Sequence, residues 1–273
     1  MDKAGIRNNK SKRPSVLLAA SEGLRAATDL TSLGWAGFLL ADLPKGKGEP
    51  ILVLPGFGAG DRSTAILRGL LASFGYQPYG WDLGINLGPR WHVLDALERQ
   101  VEKLYQQHDG HRLRLIGQSL GGIYARSIAR DKPDLIESVV TLGSPYGAHD
   151  QGESSWAYGA FELAMGYQFK EAVEMESEEM GHPLHVPTTS VYSRMDGVVN
   201  WRTCIEPACK ERENVEVLAS HCGMGVHGPT LRVILDRMAQ EQKSWKPFKS
   251  PLWQRLMYPS PIDPPKHTSA EYP

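Results

Sequence analysis

The pentapeptide Gly117-Gln118-Ser119-Leu120-Gly121 sets a serine between two glycines, directly after the apolar run Leu113 to Ile116 and before a helical pattern from Gly121 to Asp131. A sharp, strained turn from strand to helix brings the residues two before and two after such a serine together, where only small side chains fit. That turn would lift the Ser119 hydroxyl above a sheet edge and aim the Leu120 backbone N–H at the place where negative charge develops. The chemistry this suggests is nucleophilic attack on a carbonyl carbon. The five letters alone are common; the strand-turn-helix setting gives them weight. Ser144, in Gly143-Ser144-Pro145, also follows an apolar run. Pro145 has no N–H to offer, so an elbow there would lack an oxyanion donor worth about 3 kcal/mol.

A serine hydroxyl is a weak nucleophile at neutral pH until a base removes its proton and an acid orients that base. Among the downstream histidines, His221 and His227 lie after the strand candidate Asn214 to Leu218 and before the helical pattern Pro229 to Gln240, at the expected rim. His221 is nearer the strand end and is the preferred base; His227 stays open as the alternative, or as a histidine at a helix start. Asp196 follows the strand candidate Thr188 to Tyr192 in Ser193-Arg194-Met195-Asp196-Gly197 and is the preferred acid, ahead of the less constrained Asp150 and Glu153. Asp before Gly is also an ordinary turn former. A second oxyanion donor belongs on the loop after the strand Ile51 to Leu54, where Pro55-Gly56-Phe57-Gly58 offers the Phe57 N–H.

The elements that must position these residues alternate along the chain. Tyr76 to Trp81 and Ile136 to Leu142 read as further strands, and Ser63 to Phe74 and Trp91 to Gln107 as helices. Strand, loop and helix in repetition predict an α/β protein with a mostly parallel central sheet flanked by helices. Residues 15–145 and 188–245 form the expected core, and residues 1–14 a disordered basic tail. Residues 246–273 read as a Pro-rich C-terminal tail or surface wrap. From Ser15 to Thr31, the residues Leu17, Ala20, Leu24 and Ala27 recur at helical spacing, giving an amphipathic helix expected to pack on the core rather than on a membrane or a partner. Residues 146–187 carry many acids and no strand signal, as expected of an inserted helical cap. Within it Phe161, Met165 and Phe169 recur every fourth residue and are candidate substrate-binding positions lining an acyl pocket.

Together these segments resemble the α/β-hydrolase superfamily, and more closely its bacterial lipase and esterase-like branch. The similarity rests on LPGFGAGD from Leu54, GWDLGINLGP from Gly80, GQSLGG from Gly117, TLGSPYG from Thr141, the MDG turn at Met195 and SHCGMG from Ser220, and spans roughly residues 49–242. The order Ser119, Asp196, His221 is that family's order. The resemblance implies an α/β-hydrolase fold and ester hydrolysis, with Phe57 and Leu120 N–H groups as oxyanion hole. It implies no metal or organic cofactor, and a small-molecule or lipid ester as substrate. Many relatives have His where this chain has Pro55, which keeps the N–H donor but removes a polar partner for the loop.

Other classes fit less well. The 30 Lys and Arg nearly balance 31 Asp and Glu in the 273 residues, which gives no electrostatic reason to bind nucleic acid. Gly56, Gly58 and Gly60 are spaced as G-x-G-x-G rather than the dinucleotide fingerprint G-x-G-x-x-G. A zinc cluster of Cys204, Cys209, His221, Cys222 and His227 would need a wide C-x₄-C spacing and would take His221 away from acid-base work. No apolar stretch approaches the roughly twenty residues of a spanning helix, and no secretory signal is evident, so the expected location is cytoplasmic, with peripheral membrane contact through the basic tail left open. An acyltransferase with the same three residues, or a silent binding protein on the same fold, remains an alternative.

Overall fold

The structure, a computed structural model, describes residues 14–88, 91–146, 183–207 and 210–259. Among the described residues six strands form one sheet: β1 (Pro50–Leu54), β2 (Gln77–Tyr79), β3 (Leu113–Gln118), β4 (Ile136–Leu142), β5 (Thr188–Tyr192) and β6 (Arg212–Glu216). Their order is β2-β1-β3-β4-β5-β6 and every pairing is parallel. The chain steps outward from β1 to β2, then returns to the other side of β1 for β3. Crevices at such reversal points, beyond the carboxyl ends of the strands, are where α/β sheets bind ligands.

Alternation along the buried strands divides the core into two layers. Ile51 and Val53 pack on one side with Leu67 and Leu71 of α4 (Ala65–Ser73) and Leu231, Ile234 and Leu235 of α7 (Gly228–Met238). Leu52 and Leu54 pack on the other with Leu97 and Val101 of α5 (Trp91–Gln107) and Tyr124 and Ile128 of α6 (Leu120–Asp131). Both faces of β1 are therefore dry, which explains its unbroken apolar sequence.

At its N-terminal end the chain departs from expectation. The single helix expected over Ser15 to Thr31 is two, α1 (Val16–Ala20) and α2 (Glu22–Thr31), divided at Ser21. The Ser21 hydroxyl donates to the Leu17 carbonyl at 2.7 Å, a back-bond that bends helices. The helix pair is also inverted: Leu17, Ala20, Leu24 and Ala27 all face outward, whereas Glu22 and Asp29 are the buried side chains of α2. The expected apolar packing face is corrected to a solvent-side stripe, because the inward face makes hydrogen bonds instead. α3 (Ala36–Leu40) then enters the core with Leu39 and Leu40.

Residues 246–259 lie as a wrap, with Gln254 buried and Phe248, Met257 and Tyr258 against the α7 layer. The cap positions Phe161, Met165 and Phe169, like residues 1–13 and most of 146–187, lie outside the described residues.

Candidate active site

Strand register sets the site. Leu54 aligns with Gly117, Gln118 with Leu142, and Leu142 with Val191, so the loops after β1, β3, β4 and β5 leave the sheet at one rim. Ser119 lies one residue beyond β3 with φ 52° and ψ −121°, a left-handed conformation that a non-glycine residue adopts at some cost. Its N–H donates to the Leu142 carbonyl at 2.8 Å, which ties the strained residue to the neighbouring strand. Side chains at Gly117 and Gly121 would overlap the Gly121 backbone and the Leu54 carbonyl respectively, so both glycines are steric requirements of the turn. Leu120 opens α6, where a first-turn N–H has no acceptor within its own helix.

The loop after β1 passes beside the serine: a methyl on Gly56 would lie 3.3 Å from Ser119 Cβ and 4.0 Å from Ser119 Oγ. The structure thus brings the Gly56-Phe57 segment next to the hydroxyl. Asn86, fully buried, braces this loop by donating to the Pro55 carbonyl at 2.9 Å, while its backbone carbonyl accepts from the Gly58 N–H at 2.7 Å. Asp61 accepts the N–H groups of Trp81 and Asp82 at 2.9 and 3.1 Å. The glycine-rich segments from Leu54 and from Gly80 therefore hold each other, with Asn86 and Asp61 as ties that the sequence reading did not single out.

Asp196 and His221 are brought together. His221 Nδ1 stands 2.7 Å from Asp196 Oδ2, and the other carboxylate oxygen accepts the N–H groups of Val198 and Val199 at 2.8 and 2.7 Å. Both side chains are buried. Gln118, the residue before the serine, donates from its side-chain amide to the His221 carbonyl at 3.0 Å, which fixes the histidine loop to the elbow. Gly143, at φ 56°, backs the pair: a side chain there would lie 3.1 Å from both Asp196 Oδ2 and His221 Nδ1. Burial by itself would lower the His221 pKa, but the charge and hydrogen bond of Asp196, with the charge of Glu22, raise it above its ordinary 6.5. A carboxylate on Nδ1 leaves Nε2 as the nitrogen able to take a proton from a hydroxyl.

The alternatives find other places. His227 sits at the N-terminal cap of α7 with Nδ1 3.0 Å from Thr230 Oγ1, and burial lowers its pKa despite Asp29 nearby. Ser144 is fully buried against Gly122. Cys204 is a buried free thiol, Cys222 is an exposed one, and Cys209 lies outside the described residues. Among the described residues no group of His, Cys, Asp and Glu is arranged to hold a metal ion. Asp150 and Glu153 lie outside them.

A family model described as the alpha/beta hydrolase fold matches residues 32–173, just over half of the chain. The chain belongs to the α/β-hydrolase fold family. Membership makes hydrolase its general class. Solved structures of similar fold include an alpha/beta superfamily hydrolase from Oenococcus oeni PSU-1, 19% identical, with TM-score 0.52 over 73% of this chain and 94% of that one. A monoacylglycerol lipase from Paleococcus ferrophilus is 15% identical, with TM-score 0.50 over 71% of this chain and 96% of that one. A structure from a pair of metagenome-derived lipolytic enzymes, LipS and LipT, is 14% identical, with TM-score 0.54 over 72% and 94%. At such identities the likeness is one of fold. No curated protein matches the chain in sequence. Among the described residues of this α/β-hydrolase-fold protein, no helix is long and apolar enough to cross a membrane.

Proposed function

We propose that this α/β-hydrolase-fold protein is a serine carboxylic-ester hydrolase of lipase or esterase type, working through Ser119, His221 and Asp196. The observation that carries the reading is the buried Asp196–His221 pair, 2.7 Å apart, at the rim where Ser119 stands in a left-handed turn. In the proposed reaction the His221 ring takes the Ser119 proton as the hydroxyl oxygen attacks the ester carbonyl. Asp196 holds the imidazole tautomer and stabilises the imidazolium. The N–H groups of Phe57 and Leu120 receive the oxyanion, and each such donor contributes about 3 to 4 kcal/mol at the transition state. His221 then returns the proton to the departing alcohol, leaving an acyl-serine. Water deprotonated by the same ring attacks that ester, and the acid is released.

Two of the fold neighbours are named as lipolytic, which supports a lipid or small-molecule ester as substrate. The Phe161, Met165 and Phe169 stripe is proposed to line the acyl site. The test is a chain-length series of p-nitrophenyl esters, with and without detergent, on the parent chain and Ser119→Ala. Activity should fall at least about 10⁴-fold in the variant, as expected when a nucleophile is removed, and fluorophosphonate labelling should vanish with it. Hydrolysis by Ser119→Ala at the parent rate would discard the proposal.

A further inference from the structure

Glu22 opens α2 and is buried, although nothing in the apolar pattern of its helix calls for a carboxylate there. Its two oxygens reach two different loops. Oε2 accepts the N–H of Gly197, the residue after Asp196, at 3.2 Å; Oε1 accepts the N–H of Cys222, the residue after His221, at 2.9 Å. The rest of the helix works on the same two loops. Arg25 donates to Glu22 Oε2 at 2.5 Å and to the carbonyl of Met195, the residue before Asp196. Two turns along, Asp29 Oδ2 accepts the N–H and hydroxyl of Ser220, the residue before His221, at 2.8 and 2.5 Å. Neither loop has spare room: a side chain on Gly197 would lie 2.5 Å from the Leu18 carbonyl and 2.7 Å from Glu22, and one on Gly223 would overlap Asp29.

We propose that Glu22 is a positioning residue for the reaction, its one carboxylate setting the distance between the loop that presents Asp196 and the loop that presents His221. The inference rests on the serine-hydrolase reading above. A carboxylate suits this place because both of its oxygens only accept, whereas a glutamine amide would turn an NH₂ group toward one of the two N–H donors. Charge-assisted bonds to backbone N–H groups are also the stronger kind. The tolerance is narrow: reacting groups work within about 0.5 Å of the productive geometry, and a displacement of about 1 Å from a remote change can cost about 10²-fold in rate.

The same carboxylate also acts through its charge. His221 is faced by Asp196 from the β5 loop and Glu22 from α2, both favouring its protonated form. Glu22 is itself faced by Arg25 on its own helix and by the Cys222 thiol, while Asp29 serves Ser220 and lies near His227.

The experiment compares full-length Glu22→Gln and Glu22→Asp with the parent chain. Steady-state ester hydrolysis is followed against pH, the His221 ring is titrated by NMR, and thermal melts establish folding. Both variants should lose about 10- to 100-fold in kcat with little change in KM. Glu22→Gln, having lost the charge, should move the acid limb of the profile and the His221 titration to lower pH. Glu22→Asp, which keeps the charge but is one methylene short of spanning both amides, should leave them in place. Folded variants with parental kcat and parental His221 titration would overturn the proposal. So would failure of both to fold, which would assign the carboxylate to stability alone. If the parent chain shows no Ser119-dependent hydrolysis, the function reading fails instead, and the His221 titration in Glu22→Gln still decides whether Glu22 governs that ring.

Discussion

In the proposed reaction His221 must give up its proton to act as a base, and it is held by carboxylates that favour the proton. Burial opposes them, but Asp196 and Glu22 prevail and the His221 pKa lies above 6.5. The pH profile of kcat/KM should therefore show an acid limb above pH 6.5, with activity rising as the ring deprotonates. The stability effect runs the other way. A folded-state pKa raised above the unfolded value adds stability in full below the unfolded pKa, and that stability is lost as pH rises through the folded pKa. The protein should thus give up some stability over the range in which it becomes active. Asp196→Asn should lower the limb toward or below pH 6.5, reduce kcat by about 10⁴-fold and remove that trend from urea titrations run across the same range. An acid limb that stays put in Asp196→Asn would separate His221 from the activity. The candidate residues Ser119, Asp196 and His221 are legible in the sequence because each follows the end of a strand by one to five residues. Glu22 is not, since its two partners are 175 and 200 positions away and a backbone N–H leaves no mark in the letters.

At the scale of elements, periodicity locates what packs and misplaces what hydrogen-bonds. β6 is expected over Asn214 to Leu218 from its valines, yet the ladder runs over Arg212–Glu216. Arg212 and Glu213 pair with β5 all the same, because β6 is an edge strand and their side chains are satisfied by the Leu184 carbonyl and by Arg237. The inversion of α2 has a related cause: its carboxylates Glu22 and Asp29 reach the loop amides inward, and Leu24 is left outside. The turn after β4 is the sharpest case of an element shaped for its neighbours. Gly143 has φ 56°, which disfavours any L side chain, and it faces the Asp196–His221 bond so closely that an added Cβ would lie 3.1 Å from both atoms. Gly143→Ala should cost about 1 to 2 kcal/mol of stability for the backbone conformation and about 10- to 100-fold in kcat/KM for the displaced pair. Melts and ester kinetics on the same preparation separate the two effects. A variant that melts lower but keeps full kcat/KM would show that the close approach is incidental to the reaction.

Across the whole molecule, the helix that follows Ser119 is joined to the β5 side of the sheet by a buried ion pair. Arg126 of α6 meets Glu206, on the connection between β5 and β6, with both side chains fully excluded from solvent. The guanidinium also lies 3.9 Å over the Tyr146 ring, and the Tyr146 hydroxyl donates to the Cys204 carbonyl at 2.8 Å. Asn214 closes the arrangement by accepting the Glu206 N–H at 2.7 Å and donating to its carbonyl at 2.9 Å. Tyr146 is the first residue of the expected cap and the last one described before position 183, so this cluster fixes the point at which that segment leaves the core. Sequence patterning cannot find such a pair, because an Arg and a Glu 80 positions apart look like two solvated charges. Its energetics are asymmetric: removing one partner strands a buried charge at a cost of about 3 to 5 kcal/mol, whereas replacing both with apolar groups of similar volume is often near neutral. Arg126→Met should therefore lose about 3 to 5 kcal/mol in urea unfolding, and Arg126→Met with Glu206→Leu should recover most of that loss. Equal losses in the single and double variants would mean that the packing of Arg126 on Tyr146, rather than its charge, is what joins α6 to the β5 side of the sheet.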